Sequence, residues 1–324
     1  MTRQWIRDWK LTIDTGQSLI DASDFRIRFE VHQDRLQTPN WCEVIITNLS
    51  EQTAQKIRKE GQRLSLSAGY VGSTAIVFEG EIIQKRLGRE TVTDTYVTLL
   101  ARSGDRAYNN ATVNKTLAAG HTFRDQVNVA LDAMKPFGIT AGNIADLGAT
   151  KMPRGAALFG MARDLLRDIG FATKTSWYIQ DQKLNITKDD EADRGGAIVL
   201  NSSTGLIWRP VQTFDGIIGK CLISPKVRPG VIVKIDEKSI DQAAFDPSYL
   251  GDVSNSMIPS TATDGFYKVL SVDLLGDTRG QPWYCEFICI RADGQGPLPI
   301  GLVNKGVTLD PAPPATNSSS GGRI

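Results

Sequence analysis

Alternation of apolar and polar residues dominates the first hundred positions. Phe25, Ile27, Phe29 and Val31 alternate with Arg26, Arg28 and Glu30, which predicts a strand with one buried and one wet face. Similar runs follow at 41–47 (WCEVIIT), 63–70 (RLSLSAGY), 75–87 (AIVFEGEIIQKRL) and 95–102 (TYVTLLAR). Between them, 50–61 (SEQTAQKIRKEG) reads as a short helix with Ser50 as N-cap and Gly61 as stop. Five or more short strands separated by turn residues predict a small barrel or sandwich.

The period becomes helical after Thr122, which opens a T-x-x-D cap. Phe123, Val127, Ala130, Leu131 and Met134 then share one face until Pro136 and Gly138 end it. A second helix is expected over about 155–169, burying Leu158, Ala162, Leu165, Leu166 and Ile169 and stopping at Gly170. A hairpin follows over 171–187, turning at Gln180-Asp181-Gln182. Alternation returns at 217–223, 230–236, 265–275 and 283–291. The polar stretch 237–263 and the Pro-, Ser- and Gly-rich tail 296–324 lack a buried-face period. Both are expected to be mobile alone and to order against a neighbour.

The pattern predicts a mainly β, α+β chain. Two similar antiparallel β-barrel domains, 1–105 and 205–295, flank a small α/β insert at 106–204 with two helices and a hairpin. The second barrel carries the long loop 237–263, and 296–324 is an extended C-terminal tail.

The two β regions also echo each other. Gly61 lines up with Gly230, each a turn opening an alternating strand, and the run Gly80 to Gly88 resembles Tyr267 to Gly276. Tyr96 lies eight residues after Gly88, and Tyr284 eight residues after Gly276. Each tyrosine opens an apolar strand that reaches an Arg and then a Gly: Arg102 and Gly104, Arg291 and Gly294. Duplication of one barrel is favoured over chance.

Composition narrows the function. Among 324 residues, Lys plus Arg number 37 against 36 Asp plus Glu, a net charge of +1 that argues against wrapping nucleic acid. The N-terminus has no secretory apolar core and no run is long enough to span a bilayer, so assembly in the cytoplasm without stable membrane binding is expected. Cys42, Cys221, Cys285 and Cys289 form no C-x-x-C pair. Because Trp283, Cys285, Phe287 and Cys289 share one strand face, they read as reduced, buried thiols. Trp5 and Trp9 read as core.

Catalytic grammar is missing: no G-x-S-x-G elbow, no phosphate loop and no H-E-x-x-H. His32 reads as a surface residue and His121 as a residue beside a helix cap. The run Asp189, Asp190, Glu191 and Asp193 lacks the spacing of a calcium loop and reads as solvated. No catalytic residue, cofactor or metal is expected. A glycosidase needs only two carboxylates, so counting does not remove that alternative.

A family resemblance then enters. The run VIITNLSEQTAQKIRKEGQRLSLSAGYVG, continued by AIVFEGEI, resembles the opening barrel of baseplate hub proteins of contractile-tailed bacteriophages. The motif residues are Asn48-Leu49-Ser50, Gly61, Ala68-Gly69-Tyr70 and Phe78-Glu79-Gly80. The stretch GFYKVLSVDLLGDTRGQPWYCEFICI is similar to the family's second barrel, with Gly276-Asp277-Thr278 and Trp283-Tyr284 in place. The resemblance implies a homotrimer that adapts a six-fold tail tube protein to a trimeric spike protein, among other baseplate proteins. DNA would only pass through, and the protein would sit in the virion after assembly in the host cytoplasm. The internal repeat and the resemblance together single out as structural positions Asn48, Gly61, Gly69, Tyr70, Gly80, Gly88, Tyr96, Gly230, Gly276, Trp283 and Tyr284. A tail-associated cell-wall-degrading enzyme, or another tube or distal-tail adaptor, remains as an alternative.

Overall fold

The computed structural model describes residues 6–57, 61–188, 196–236, 239–242, 258 and 261–292. Most of the polar stretch 237–263, all of the tail 296–324, Trp5 and the acidic run at 189–193 lie outside the described residues.

Strands form where alternation is strongest. β1 (Arg7–Asp14), β2 (Leu19–Asp21), β3 (Ile27–Asp34) and β4 (Trp41–Thr47) lead to α1 (Glu51–Lys56). A meander follows of β5 (Arg63–Tyr70), β6 (Ala75–Arg89) and β7 (Thr95–Arg102). On β3 the side chains of Ile27, Phe29 and Val31 are buried, as their period requires. Ser50 caps α1 by accepting from the Thr53 amide at 3.1 Å.

The insert contains more structure than its period announces. It runs α2 (Asp105–Asn110), β8 (Thr112–Leu117), α3 (Phe123–Met134), β9 (Thr140–Ile144), β10 (Ala156–Met161), α4 (Ala162–Thr173), β11 (Thr175–Gln180) and β12 (Lys183–Lys188). Thr122 and Asp125 form a reciprocal capping box on α3. The second helix differs from expectation at both ends. Residues 156–161 pair with β8 as a strand, so Leu158 is not helical, and α4 passes through Gly170 to end where Lys174 adopts a left-handed φ of 53°. Strand pairing satisfies the backbone before Ala162, and a lysine supplies the terminating conformation usually given to glycine. The hairpin turns on two residues, Asp181 and Gln182, with φ of 50° and 59°, which matches the twist of its strands. α3 and α4 pack over these strands around Val127, Ala130, Leu166, Ile169, Trp177 and Leu184.

The last stretch supplies β13 (Ile198–Leu200), β14 (Val211–Thr213), β15 (Gly216–Leu222), β16 (Ile232–Ile235), β17 (Phe266–Asp277) and β18 (Trp283–Arg291). The fold is mainly β, but the two expected barrels are not separately closed. One 13-stranded sheet runs β14-β15-β18-β17-β3-β4-β7-β6-β5-β1-β2, with β13 and β16 attached through β17. Among the described residues no pairing closes this path, because the outer edge of β3 pairs with β17 rather than with its own half. A single apolar core underlies both halves, and a second core lies within the insert.

Strand order repeats within the sheet. The order β3-β4-β7-β6-β5 recurs as β14-β15-β18-β17-β16, with every pairing antiparallel. Detail repeats as well. A register shift falls between Ile82 and Gln84 on β6, and another between Val269 and Ser271 on β17. The Gly61 amide donates to the Ile82 carbonyl at 2.9 Å and the Gly230 amide to the Val269 carbonyl at 2.6 Å. The Ile82 and Val269 amides in turn donate to the carbonyls of Gln62 and Val231 at 2.8 and 3.0 Å. Anchoring the halves on these bonds and shifts makes Gly61 the counterpart of Gly230 and Tyr96 that of Tyr284. Gly88, opposite Tyr96, then answers Leu275 rather than Gly276, which pairs with Trp283 one residue further on.

Candidate assembly interface

The seam between the halves is built from residues far apart in sequence. β3 and β17 pair antiparallel from Arg28 opposite Asp277 to Asp34 opposite Ser271. Beyond the last pair, the Thr278 amide donates to the Ile27 carbonyl and the Ile27 amide to Thr278 Oγ1, both at 3.0 Å. Arg26 grips the Asp277 carboxylate with two bonds of 3.2 and 2.7 Å. Burial works against ionisation of Asp277, yet the Arg26 guanidinium and the Arg279 amide hold its carboxyl below the usual range. From β1, Arg7 donates to the carbonyls of Asp277 and Gly280 at 2.8 and 2.6 Å and to that of Gln281 at 3.0 Å.

An imidazole holds the other end of the seam. His32 Nδ1 lies 2.5 Å from Asp273 Oδ1 and its Nε2 3.4 Å from Asp34 Oδ2, and its ring stacks on Trp41 at 5.7 Å. Its bond to Asp273, helped by Asp34, raises its pKa to about 9, so at neutral pH the imidazolium donates to these carboxylates. His32 is therefore an internal clamp rather than the surface residue its position suggests. Its strongest partner is 241 residues away, which no local pattern reveals.

The positions singled out in the sequence spread over both halves. Asn48 adopts a φ of 57° at the end of β4, accepts from the Thr95 amide at 2.9 Å and donates to Asp94 at 2.8 Å. Gly61 and Gly230 both have left-handed φ values, 81° and 91°. Gly69 offers its carbonyl to Trp283 Nε1 at 3.2 Å, and Tyr70 beside it is buried. A Cβ on Gly80 would come within 2.6 Å of the Arg102 carbonyl. Gly88 lies under the Tyr96 ring and Gly276 under Phe29, where a Cβ would come within 2.5 and 2.2 Å of ring atoms. Trp283 joins the halves, meeting Trp9 at 6.0 Å and Phe29 at 5.5 Å edge to face. Tyr284 carries the Lys220 ammonium over its ring at 3.5 Å. The seam thus gathers Gly69, Tyr70, Gly276 and Trp283, whereas the others shape the two halves separately.

Among the described residues, the edges without a partner strand include β14 and the far half of β6, both away from the seam. β14 ends the sheet, and around it Ile207, Trp208, Val211, Phe214 and Ile218 are exposed, Trp208 by 70%. Among the described residues a short turn meets the outer backbone of β14: the Gln212 amide donates to the Asp241 carbonyl at 2.9 Å and the Asp241 amide to the Pro210 carbonyl at 2.8 Å. β6 is longer than its neighbour β5, which pairs with it only as far as Glu81. From Gln84 to Arg89, β6 has β7 on one side and no described strand on the other, with Leu87 61% exposed. Unpaired edges of this kind invite another chain.

A cleft of about 430 Å³ lies between the sheet and the insert, lined by Asp14, Arg63, Glu81, Arg106 and Phe137 among others. Burial raises the Glu81 carboxyl, although it accepts from the Arg106 amide at 2.9 Å. Among the described residues no group of three or more His, Cys, Asp or Glu side chains is placed to hold a metal ion. No helix among them is long and apolar enough to cross a membrane.

The overall fold is similar to that of several solved tail proteins. The chain is similar to a 43 kDa tail protein of prophage MuSo2 from Shewanella oneidensis (TM-score 0.58, 9% identity, 90% of this chain and 99% of that one). It is similar to a tail protein from Neisseria meningitidis (TM-score 0.56, 10% identity, covering 88% and 98%). A type VI secretion component of Escherichia coli, described as structurally similar to the T4 tail proteins gp27 and gp5, matches with TM-score 0.52 and 11% identity over 90% and 80%. No protein-family model and no curated protein matches the sequence. At these identities the likeness is one of fold.

Proposed function

We propose that this chain is a structural hub at the end of a phage tail. Three copies would form a ring around an axis, adapting a six-fold tube to a three-fold spike and leaving a channel for DNA in transit. The carrying observation is the recurrence of β3-β4-β7-β6-β5 as β14-β15-β18-β17-β16. Three chains with two such units each present six similar units to the tube while remaining three-fold elsewhere, and closed rotation avoids filament growth. The division into units at 1–105 and 205–295 around an insert at 106–204 belongs to this reading, as do the virion location and the tube, spike and baseplate partners.

Mass measurement in solution tests it. A species of three chains, each of 35.4 kDa, is expected, whereas a six-chain ring would make the protein a tube component. A non-enzymatic role is part of the proposal. The wall-degrading alternative would draw on the buried Glu81 in its cleft, and a zymogram is expected to stay dark. Clearing by the wild type that is lost in Glu81→Gln would replace the hub reading with an enzymatic one.

A further inference from the structure

We infer that the open half of β6 in one copy pairs antiparallel with β14 of the next copy, from Glu90 opposite Arg209 to Gln84 opposite Asp215. This rests on the trimeric hub reading and names the strands that make its contact.

The seam already inside the chain sets the register of this pairing. The repeated hydrogen bonds and register shifts make β6 the counterpart of β17, with Gln84 answering Ser271 and Glu90 answering Asp277. The pairings of β14 with β15 and of β3 with β4 make Val211 the counterpart of Glu30, Arg209 that of Arg28 and Asp215 that of Asp34. Within the chain, β17 pairs with β3. Their counterparts β6 and β14 do not pair with each other, and six strands separate them along the sheet. A ring of six similar units requires the same junction at each boundary. The second junction therefore falls between copies, with the seam's register: Leu87 opposite Gln212 and Gly88 opposite Val211.

Chemistry at both edges fits this occupant. In the seam Arg28 on β3 lies opposite Asp277 on β17. At the new junction Arg209, two residues before β14, lies opposite Glu90, one residue past β6, with the same polarity. In the single chain Glu90 accepts from Arg28 at 3.0 and 2.8 Å, so the junction adds a second arginine to it. Thr91 stands where Thr278 stands, one residue beyond the acid. The half of β6 that would pair is the half β5 leaves open, and it ends where the seam's own pairing ends. Exposed Leu87 shares a face with exposed Phe214, which lies two residues along from its partner Gln212. In the single chain Asp241 occupies the Gln212 amide and the Pro210 carbonyl, and its carboxylate lies 3.4 Å from Arg209. The incoming strand replaces these contacts with its own backbone groups and Glu90.

Cysteine pairing tests the register. The four native cysteines are buried, so the background is low. In the full chain, Leu87→Cys combined with Gln212→Cys should give covalent dimers and trimers on non-reducing denaturing gels, lost on reduction. Leu87→Cys with Val211→Cys puts the two sulfurs on opposite faces of the joined sheet, and its linked fraction should fall at least tenfold. Solution mass is measured on the same samples before oxidation. A trimer in which neither pair links, or in which the second pair links as well as the first, overturns the strand assignment and leaves the hub reading standing. A six-chain particle that links at the first pair keeps the junction and overturns the trimer. A monomer that does not link overturns both.

Discussion

The imidazole of His32 sits between two carboxylates at the seam, and its raised pKa makes stability depend on pH there. A group held at about 9 when folded and near 6.5 when unfolded contributes fully below 6.5, and its contribution disappears as pH rises through 9. The wild type is expected to lose on the order of 1–2 kcal/mol between pH 6 and pH 9.5, after allowance for solvent screening. His32→Asn should flatten that slope, as thermal melts at both pH values will read. Thiol chemistry is the opposite case. Burial pushes the thiols of Cys42 and Cys289 up, while Cys221 is raised by its contact with Cys285 at 3.1 Å and by burial. Iodoacetamide at pH 8 should leave the folded chain unlabelled by mass and add four groups after unfolding, since all four cysteines are free and buried.

Elements depend on their ends and their junctions. Thr122 and Asp125 satisfy the first turn of α3 from both directions, so Thr122→Ala should cost about 1 kcal/mol, read as a lower denaturant midpoint. The seam is more demanding, because Asp277 is buried while its carboxylate holds Arg26 and the Arg279 amide. Asp277→Asn leaves that guanidinium without its countercharge and should cost about 2 kcal/mol, less than for a fully buried pair because Arg26 is 39% exposed. The sign of its pH dependence is opposite to that of His32. A carboxyl depressed by folding stabilises above its unfolded pKa and loses that contribution as pH falls through the folded value. Acid melts of the wild type and the variant should therefore converge.

At the scale of the molecule, the distribution of apolar contacts sets which parts unfold together. One core runs beneath both halves of the sheet, so the halves should lose protection in a single step although they are far apart in sequence. The insert has its own core and meets the sheet through polar links such as Arg228 to Asp181 at 2.6 Å and the Arg106 amide to Glu81. Hydrogen exchange in mild denaturant should show α3 and α4 opening at a free energy different from that of β4, β7 and β17. Uniform opening of all of these would mean that the polar links couple the two cores more tightly than their apolar separation implies.

What was legible in the sequence was what repeats within a few residues. Alternation placed β18 at its observed bounds and predicted its buried face of Trp283, Cys285, Phe287 and Cys289. Capping residues located the starts of α1 and α3. Glycine turns exposed the internal echo, although spacing alone aligned Gly88 with Gly276, because a register shift inside a strand leaves no mark in the spacing of glycines. Tertiary structure decided the rest. Short strands such as β8 and β10 have no period long enough to read, and they form because each supplies the other's hydrogen bonds. The joining of β3 to β17 depends on which edge is free after each half has folded, and the partners of His32 and Arg26 lie 241 and 251 residues away. Local pattern carries burial and turn chemistry, whereas an edge finds its partner only when the whole sheet brings it within reach.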